Sequence, residues 1–197
     1  MKKVLAIMGS PRKGKNTNSA LDFFLKGLDQ GQFSLDKVYL KDLSIGHCTG
    51  CDYCGSTGIC IIKDDMQSLY DKIDQSDLVI LAAPLYFNSI NGLSKNMIDR
   101  CQKYWSQKYS LGQSYKRGED RLGVFISTGG APYSHNQFDG AIPVMDFFFK
   151  AINVQHKGNY FVSGTDNSEV KDRSDVAEEL RHLGNKILEG RSFRIHR

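Results

Sequence analysis

Apolar and polar residues follow one another along the chain in blocks that predict strands and helices in alternation. Unbroken or alternating apolar runs are typical of strands in a largely buried sheet. They predict five strands, at residues 3–8, 33–40, 77–83, 121–127 and 154–162. Apolar residues at helical spacing predict a helix after each strand, at residues 17–28, 64–73, 92–103, 137–152 and 169–188.

This succession of strand–helix units indicates an α/β protein in which helices cover both faces of a doubly wound parallel sheet. The run at 77–83 is the most hydrophobic and is expected at the centre, whereas 33–40 is expected at an edge. No internal repeat or linker divides the sequence, so we expect a single domain over residues 1–197. Two irregular segments interrupt the pattern, a cysteine-rich loop at 44–63 and a polar, aromatic-studded connection at 105–120.

The composition is that of an ordinary globular protein, with 40% hydrophobic residues, 24% charged residues and a formal net charge of +4. The basic tail at residues 191–197 is expected to be solvated. No basic stripe is interleaved with aromatics, so nucleic acid is not an expected partner, whereas small anionic ligands are. No apolar run approaches the roughly 18 residues of a membrane helix and no secretory segment is visible, so we expect a cytoplasmic protein without membrane contact. Cysteines are reduced there, which favours a metal or redox role over disulfides.

The first predicted strand runs into a loop suited to a phosphate group, at residues 9–18. In a doubly wound sheet, ligands bind at the carboxyl ends of strands, where backbone N–H groups and a helix N-terminus attract anions. The loop adds short polar donors and one guanidinium, on Ser10, Arg12, Asn16, Thr17 and Asn18. It matches neither of the two common nucleotide-binding fingerprints, and a Gly/Ser/Pro turn capped by Asn or Thr is the alternative interpretation.

The loop resembles the FMN-phosphate loop of the NADPH-dependent FMN reductase branch of the flavodoxin-like superfamily. Residues 83–89 resemble the second flavin loop of that family, residues 93–100 the helix that follows it, and residues 128–130 occupy the position of its third loop. The similarity runs from about residue 2 to 165 with the motifs in the same order. It implies a three-layer flavodoxin-like fold, a five-stranded parallel sheet of order 2-1-3-4-5, and FMN at the switch between the first and third strands.

The resemblance also implies roles for the three loops. The first would hold the phosphate, the second would lie along the isoalloxazine ring with Asn88 at a ring edge, and the third would allow close backbone approach. For Tyr86 and Phe87, packing in the core is the alternative. The candidate cofactor-binding residues are Ser10, Pro11, Arg12, Asn16, Thr17, Asn18, Pro84, Leu85, Tyr86, Phe87, Asn88, Thr128, Gly129 and Gly130. No side chain is expected to act as acid or base, because flavin N5 would be the reactive atom.

Four of the five cysteines form the pattern C-x2-C-x2-C-x5-C, as Cys48, Cys51, Cys54 and Cys60. Thiolates this close in sequence can converge on a [4Fe-4S] cluster or a tetrahedral zinc ion, or remain unliganded thiols with a redox role. The pattern resembles that of the iron–sulfur flavoproteins of archaea and anaerobes, in which a [4Fe-4S] cluster passes electrons to FMN. Cys101 lies outside the pattern and is expected to pack as a small apolar residue.

Three functional hypotheses follow. The first is an FMN-dependent oxidoreductase that moves electrons from NAD(P)H to a quinone, a nitro-aromatic, a flavin or a protein acceptor. The second is an iron–sulfur flavoprotein that carries electrons from ferredoxin. The third is a regulatory or binding module stabilised by zinc. The resemblance and the aromatic segment at 105–120 also predict a homodimer or a tetramer.

Overall fold

The computed structural model describes residues 1–29, 31–113 and 120–197. The strands are β1 Lys2–Met8, β2 Phe33–Tyr39, β3 Leu78–Tyr86, β4 Ser89–Ile90, β5 Leu122–Thr128, β6 Gln155–Val162 and β7 Phe193–His196. The helices are α1 Asn16–Lys26, α2 Tyr53–Thr57, α3 Met66–Gln75, α4 Gly92–Arg100, α5 Gln102–Tyr109, α6 Ile142–Ala151 and α7 Ser174–Asn185. Short 3-10 turns lie at Leu40–Asp42 and Val170–Asp172.

The strands form one sheet in the order β2-β1-β3-β5-β6-β7, and β4 pairs with β3. Every pair along this path is parallel, whereas β4 runs antiparallel to β3. The chain leaves β1 toward β2 on one side and returns to β3 on the other side. Neighbouring crossovers therefore diverge between β1 and β3, which is where a doubly wound sheet opens a crevice at its carboxyl edge.

The prediction of five strands in the order 2-1-3-4-5 is wrong, because the described residues form seven strands in the order given above. One extra strand, β4, arises where the chain folds back on β3. The other, β7, comes from the basic tail, whose arginines at 191, 194 and 197 are exposed as predicted but whose backbone pairs with β6 instead of forming a free end. Phe193 and Ile195 of this tail pack against the core, and their burial favours the pairing. The α/β class and the parallel sheet are confirmed.

The sheet separates two hydrophobic clusters, so the molecule has three layers. Alternate residues of each strand face opposite sides, as in β1, where Leu5 and Ile7 enter one cluster and Val4 enters the other. The first cluster is covered by α3, α4, α5 and α6, and the second by α1 and α7. Strand β3 lies between β1 and β5, which confirms the prediction that the most hydrophobic run is central.

The helices on either side of Cys101 differ from the predictions. The helix predicted at 92–103 is interrupted at Cys101, which separates α4 from α5. Helix α5 occupies the first part of the connection predicted at 105–120, whose residues 114–119 lie outside the described residues. Across the described ranges, no helix has both the length and the apolar character that a membrane crossing requires.

Candidate functional site

The three loops that the sequence singles out meet at the carboxyl edge of the sheet. Thr17 at the start of α1 and Thr128 at the end of β5 share a buried hydrogen bond, with 2.7 Å between their Oγ1 atoms. Asn91 Nδ2 donates to the carbonyl oxygen of Gly9 over 2.7 Å, which joins the second loop to the first. Ser89 Oγ donates to the carbonyl oxygen of Gly140 over 3.2 Å, which joins the second loop to the segment after the third.

The first loop presents a helix N-terminus without a side-chain cap. Helix α1 begins at Asn16, and its N-cap residue is Lys15. Among the described residues, the Lys15 side chain makes no capping hydrogen bond to the first N–H groups of the helix. Ser10 is buried, and its Oγ accepts the N–H of Arg12 over 3.1 Å. Arg12 and Lys15 are exposed. The loop therefore combines free N–H groups with positive charge, which suits an anion.

The two asparagine side chains of this loop also have partners within the protein. Asn16 Oδ1 accepts the N–H of Val170 over 2.9 Å, and Asn16 Nδ2 donates to the carbonyl oxygen of Thr165 over 3.3 Å. Asn18 Oδ1 accepts the hydroxyl of Tyr39 over 3.2 Å. These amides fix the first turn of α1, so this turn would meet a ligand with its backbone N–H groups.

The second loop ends in a tight hairpin with exposed aromatic residues. Phe87 and Asn88 both have positive φ, at 50° and 55°, and connect β3 to β4 as a two-residue turn. A bulky residue rarely adopts this conformation, which costs about 1–3 kcal/mol. The side chain of Phe87 is completely exposed and that of Tyr86 is 43% exposed, so core packing is wrong for both. Pro84, in contrast, is buried in the sheet.

The third loop is fastened to the end of β6. Gly129 donates its N–H to the carbonyl oxygen of Val162 over 2.8 Å, and its own carbonyl oxygen accepts the N–H of Thr165 over 3.1 Å. Further along, Gly140 lies so close to the hairpin that a Cβ there would stand 2.4 Å from the carbonyl oxygen of Asn88. Glycine at this position therefore permits the segment after the third loop to touch the second loop.

Three further polar residues at this edge were not predicted. Asn91 Oδ1, Ser94 Oγ and Ser127 Oγ are buried and have no hydrogen-bond partner among the described residues. A Cβ on Gly9 would lie 2.0 Å from Ser94 Oγ, so the first loop and α4 are in direct contact. The position of Asn91 just before α4 is a typical N-cap signal and would have been a reason to include it.

The four clustered cysteines line one cavity of about 480 Å³. Asp99, Arg100, Gln102 and Lys103, on or next to α4 and α5, line it as well. All four thiols are free, with Cys48 and Cys51 exposed and Cys54 and Cys60 partly buried. Among the described residues, no three His, Cys, Asp or Glu side chains converge closely enough to hold a metal ion. The structure thus brings the thiols to a common cavity but not to a common point.

Beneath this cavity lies a buried ion pair between Arg100 and Asp64. The Arg100 side chain is fully buried, and its Nη1 lies 2.6 Å from Asp64 Oδ2. Burial opposes the charged form of Arg100, but hydrogen bonds with Asp64 and Cys60 outweigh it and raise the pKa of the guanidinium. Burial likewise opposes the charged form of Asp64, but hydrogen bonds from Arg100 and two backbone N–H groups lower the pKa of its carboxyl.

Cys101 behaves differently from the clustered cysteines. It is 1% exposed, and burial raises the pKa of its thiol far above the ordinary value. The thiol therefore stays protonated and packs in the core, which confirms the prediction for this residue.

The family model described as NADPH-dependent FMN reductase matches residues 2–165. An iron-sulfur flavoprotein from Archaeoglobus fulgidus is 40% identical over 102 residues, which are 52% of this chain and 46% of the relative. An iron-sulfur flavoprotein from Methanosarcina thermophila is 29% identical over 129 residues, or 66% of this chain and 64% of the relative. The chain thus matches less than two thirds of the length of these relatives.

Among solved structures, an NAD(P)H:quinone oxidoreductase from Methanothermobacter marburgensis superimposes with a TM-score of 0.69 at 13% identity. The superposition covers 96% of this chain and 98% of that protein. At this identity the likeness establishes the fold alone, and it confirms the flavodoxin-like α/β architecture.

Proposed function

Because this chain belongs to the NADPH-dependent FMN reductase family, we propose that it binds FMN and moves electrons from NAD(P)H to an acceptor. The acceptor would be a quinone, a nitro-aromatic, a flavin or a protein. The observation that carries the proposal is the meeting of three loops at the β1–β3 crevice, where Asn91 joins the first loop to the second and Thr17 joins the first to the third. A cytoplasmic location and assembly into a dimer or tetramer remain predictions.

The first loop would hold the phosphate. The N–H groups at the start of α1 point toward the carboxyl edge, and the helix dipole favours an anion there. Ser10, Pro11 and Arg12 would surround the phosphate, and Thr17 keeps this turn against the third loop. Asn16 and Asn18 would act by holding the turn in place.

The second and third loops would hold the ring. Leu85, Tyr86 and Phe87 offer apolar and aromatic surface along the crevice, and Asn88 offers an amide at its rim. Gly129 and Gly130 leave room for close approach of the backbone on the opposite side. Bound FMN would supply the hydride and electron chemistry, while these residues bind it, orient its ring and shield one face from water.

The test is to measure flavin binding and turnover by the purified chain. We expect one FMN per chain after loading and gel filtration, and oxidation of NADPH or NADH when a quinone is added. A chain that retains no flavin under these conditions would contradict the proposal. A matched control is Lys72→Ala on α3, because Lys72 pairs with Asp36 on the surface away from the crevice.

A second candidate function is supported by the cysteine cavity. Cys48, Cys51, Cys54 and Cys60 supply soft thiolates around one space, and thiolate sets of this kind hold [4Fe-4S] clusters. Bound there, a cluster would supply one-electron chemistry, with ferredoxin as donor in place of NAD(P)H. Iron and acid-labile sulfide after anaerobic reconstitution would support this function. Retained zinc with no turnover of either donor would instead support a zinc-stabilised module.

A further inference from the structure

Arg100 ends helix α4 with its guanidinium directly beneath the cysteine loop. Its side chain is 0% exposed, although arginine is rarely buried without a specific partner. Two parallel bonds join it to the Asp64 carboxylate, from Nη1 to Oδ2 over 2.6 Å and from Nη2 to Oδ1 over 3.1 Å. This two-pronged geometry is specific to the guanidinium, because an ammonium group cannot reproduce it.

The same guanidinium also binds both ends of the loop. Nη1 donates to the carbonyl oxygen of Gly46 over 2.8 Å, and Nη2 donates to the carbonyl oxygen of Ile62 over 3.3 Å. Gly46 lies just before Cys48, and Ile62 lies just after Cys60. One side chain therefore closes the segment that contains all four clustered cysteines.

Asp64 completes this closure from the other side. Its Oδ2 accepts the N–H of Gly46 over 2.8 Å, and its Oδ1 accepts the N–H of Met66 over 3.1 Å. The carboxylate is thereby fixed between the start of the loop and the start of α3. Asn96, one turn before Arg100 on α4, adds a bond to the carbonyl oxygen of Ile45 over 2.7 Å.

We propose that Arg100 is a positioning residue that holds both ends of the cysteine loop on α4 and so keeps the four thiols around one cavity. The segment between these ends is largely exposed. Its short helix α2 contacts α5, where Cys54 Sγ lies 3.5 Å from Ser106 Oγ, and Gln67 Nε2 also donates to the carbonyl oxygen of Ile62 over 2.7 Å. Arg100 is the side chain that bonds both ends at once. The role concerns the loop itself and holds whether the thiols bind iron, zinc or no metal. It is independent of flavin binding.

The test compares two buried arginines. Arg100→Gln removes the charge and the fork at the cysteine loop. Arg121→Gln removes the charge at another buried arginine, whose guanidinium donates to the carbonyl oxygens of Ser76 and Ile152. Both variants remove a buried cation, so a general loss of stability should appear in both.

The measurement is the rate at which Cys54 and Cys60, the two partly buried thiols of the loop, react with a disulfide reagent in the full chain, as purified and again after chelation of metal, with the exposed Cys48 and Cys51 as an internal reference. We expect Arg100→Gln to react about tenfold faster than the natural chain, because the loop opens when its ends are released. Arg121→Gln should react less than about twofold faster. Arg100→Lys, which keeps the charge without the fork, should lie between.

Equal acceleration in the two Gln variants, or none in Arg100→Gln, would overturn the proposal. If Arg100→Gln does not fold, Asp64→Asn provides the same comparison. It weakens the ion pair with Arg100 by removing the charge of Asp64 and keeps the volume of that side chain. Retained FMN separates this test from that of the proposed function: thiols that react faster in a variant with full flavin content support a role confined to the loop.

Discussion

The two ends of α4 hold two sites that are built in different ways. At its beginning, the crevice is formed by backbone segments that the sheet itself positions, as when Gly9 donates its N–H to the carbonyl oxygen of Ala82 on the neighbouring strand. At its end, the cysteine loop lies outside the sheet and is closed by Arg100 and Asp64. Strand pairing therefore makes the first site resistant to change in any one polar side chain. The second site depends on a few side-chain bonds, among which the ion pair of Arg100 and Asp64 joins both ends of the loop.

The largest effect is expected at Gly9, where the crevice has no room for a side chain. Gly9→Ala would place a Cβ 2.0 Å from Ser94 Oγ and should lower the free energy of unfolding by about 2–3 kcal/mol. Chemical denaturation and flavin content would measure the loss. Because the hydroxyl is the nearest obstacle, the double variant with Ser94→Ala should recover much of the stability, and no recovery would contradict this explanation.

A variant with Ser at all four clustered cysteines should lose metal binding and keep flavin binding. We expect iron or zinc content after reconstitution to fall to background, because hydroxyls bind these soft sites poorly. Flavin content should remain within about twofold of the natural chain, since no cysteine lies in the three loops of the crevice. Metal analysis and absorbance spectra give both values, and Cys101→Ser serves as the control outside the loop. A parallel loss of flavin would show that the sites are not independent.

Acid should open the cysteine loop before it disturbs the crevice. The pKa of Asp64 in the folded chain lies below its ordinary value of 3.8, so its contribution to stability is complete above that value. This contribution is lost as the pH falls through the lowered pKa, when the carboxyl becomes protonated and releases Arg100. Hydrogen exchange, corrected for its intrinsic pH dependence, should therefore rise at residues 44–63 below about pH 4 while residues 3–8 stay protected. Asp64→Asn should exchange rapidly at every pH.

The smallest effect on stability is expected at Phe87. Its side chain is fully exposed and its backbone is strained, so Phe87→Gly should change the free energy of unfolding by no more than about 1 kcal/mol. If the ring lies along FMN or an aromatic acceptor, the same variant should raise the Kd for FMN or the KM for the acceptor several-fold. Fluorescence titration and steady-state kinetics would distinguish these. Unchanged values would leave Phe87 without a role at the site.

The sequence predicted the crevice better than it predicted the cysteine loop, for physical reasons. Short continuous apolar runs such as β3, bounded by polar residues and turns, favour buried strands, and the loops that follow such strands meet at one edge of a parallel sheet. The burial of Arg100 has no local signal, because an arginine at the end of a helix normally faces water. Its burial depends on a loop some fifty residues earlier in the chain, which contacts it through Gly46.

Two other differences have the same origin in distant contacts. The strand β7 contains alternating apolar residues among basic ones, and only the free edge of β6 makes it a strand. The turn at Phe87 and Asn88 lacks the usual Asn-Gly signal of a two-residue hairpin, and the close approach of Gly140 holds it in place.

The nine residues of α4 also set a constraint on how this chain can vary over evolutionary time. Each residue of a helix adds about 1.5 Å along the helix axis and about 100° of rotation around it. One inserted residue would therefore turn the Arg100 side chain away from Asp64, while Asn91 kept its hydrogen bond to Gly9. Exposed positions such as Lys95 can be exchanged freely, whereas insertions and deletions between Asn91 and Arg100 should be eliminated by selection. Selection should therefore conserve the length of this helix more strictly than its sequence.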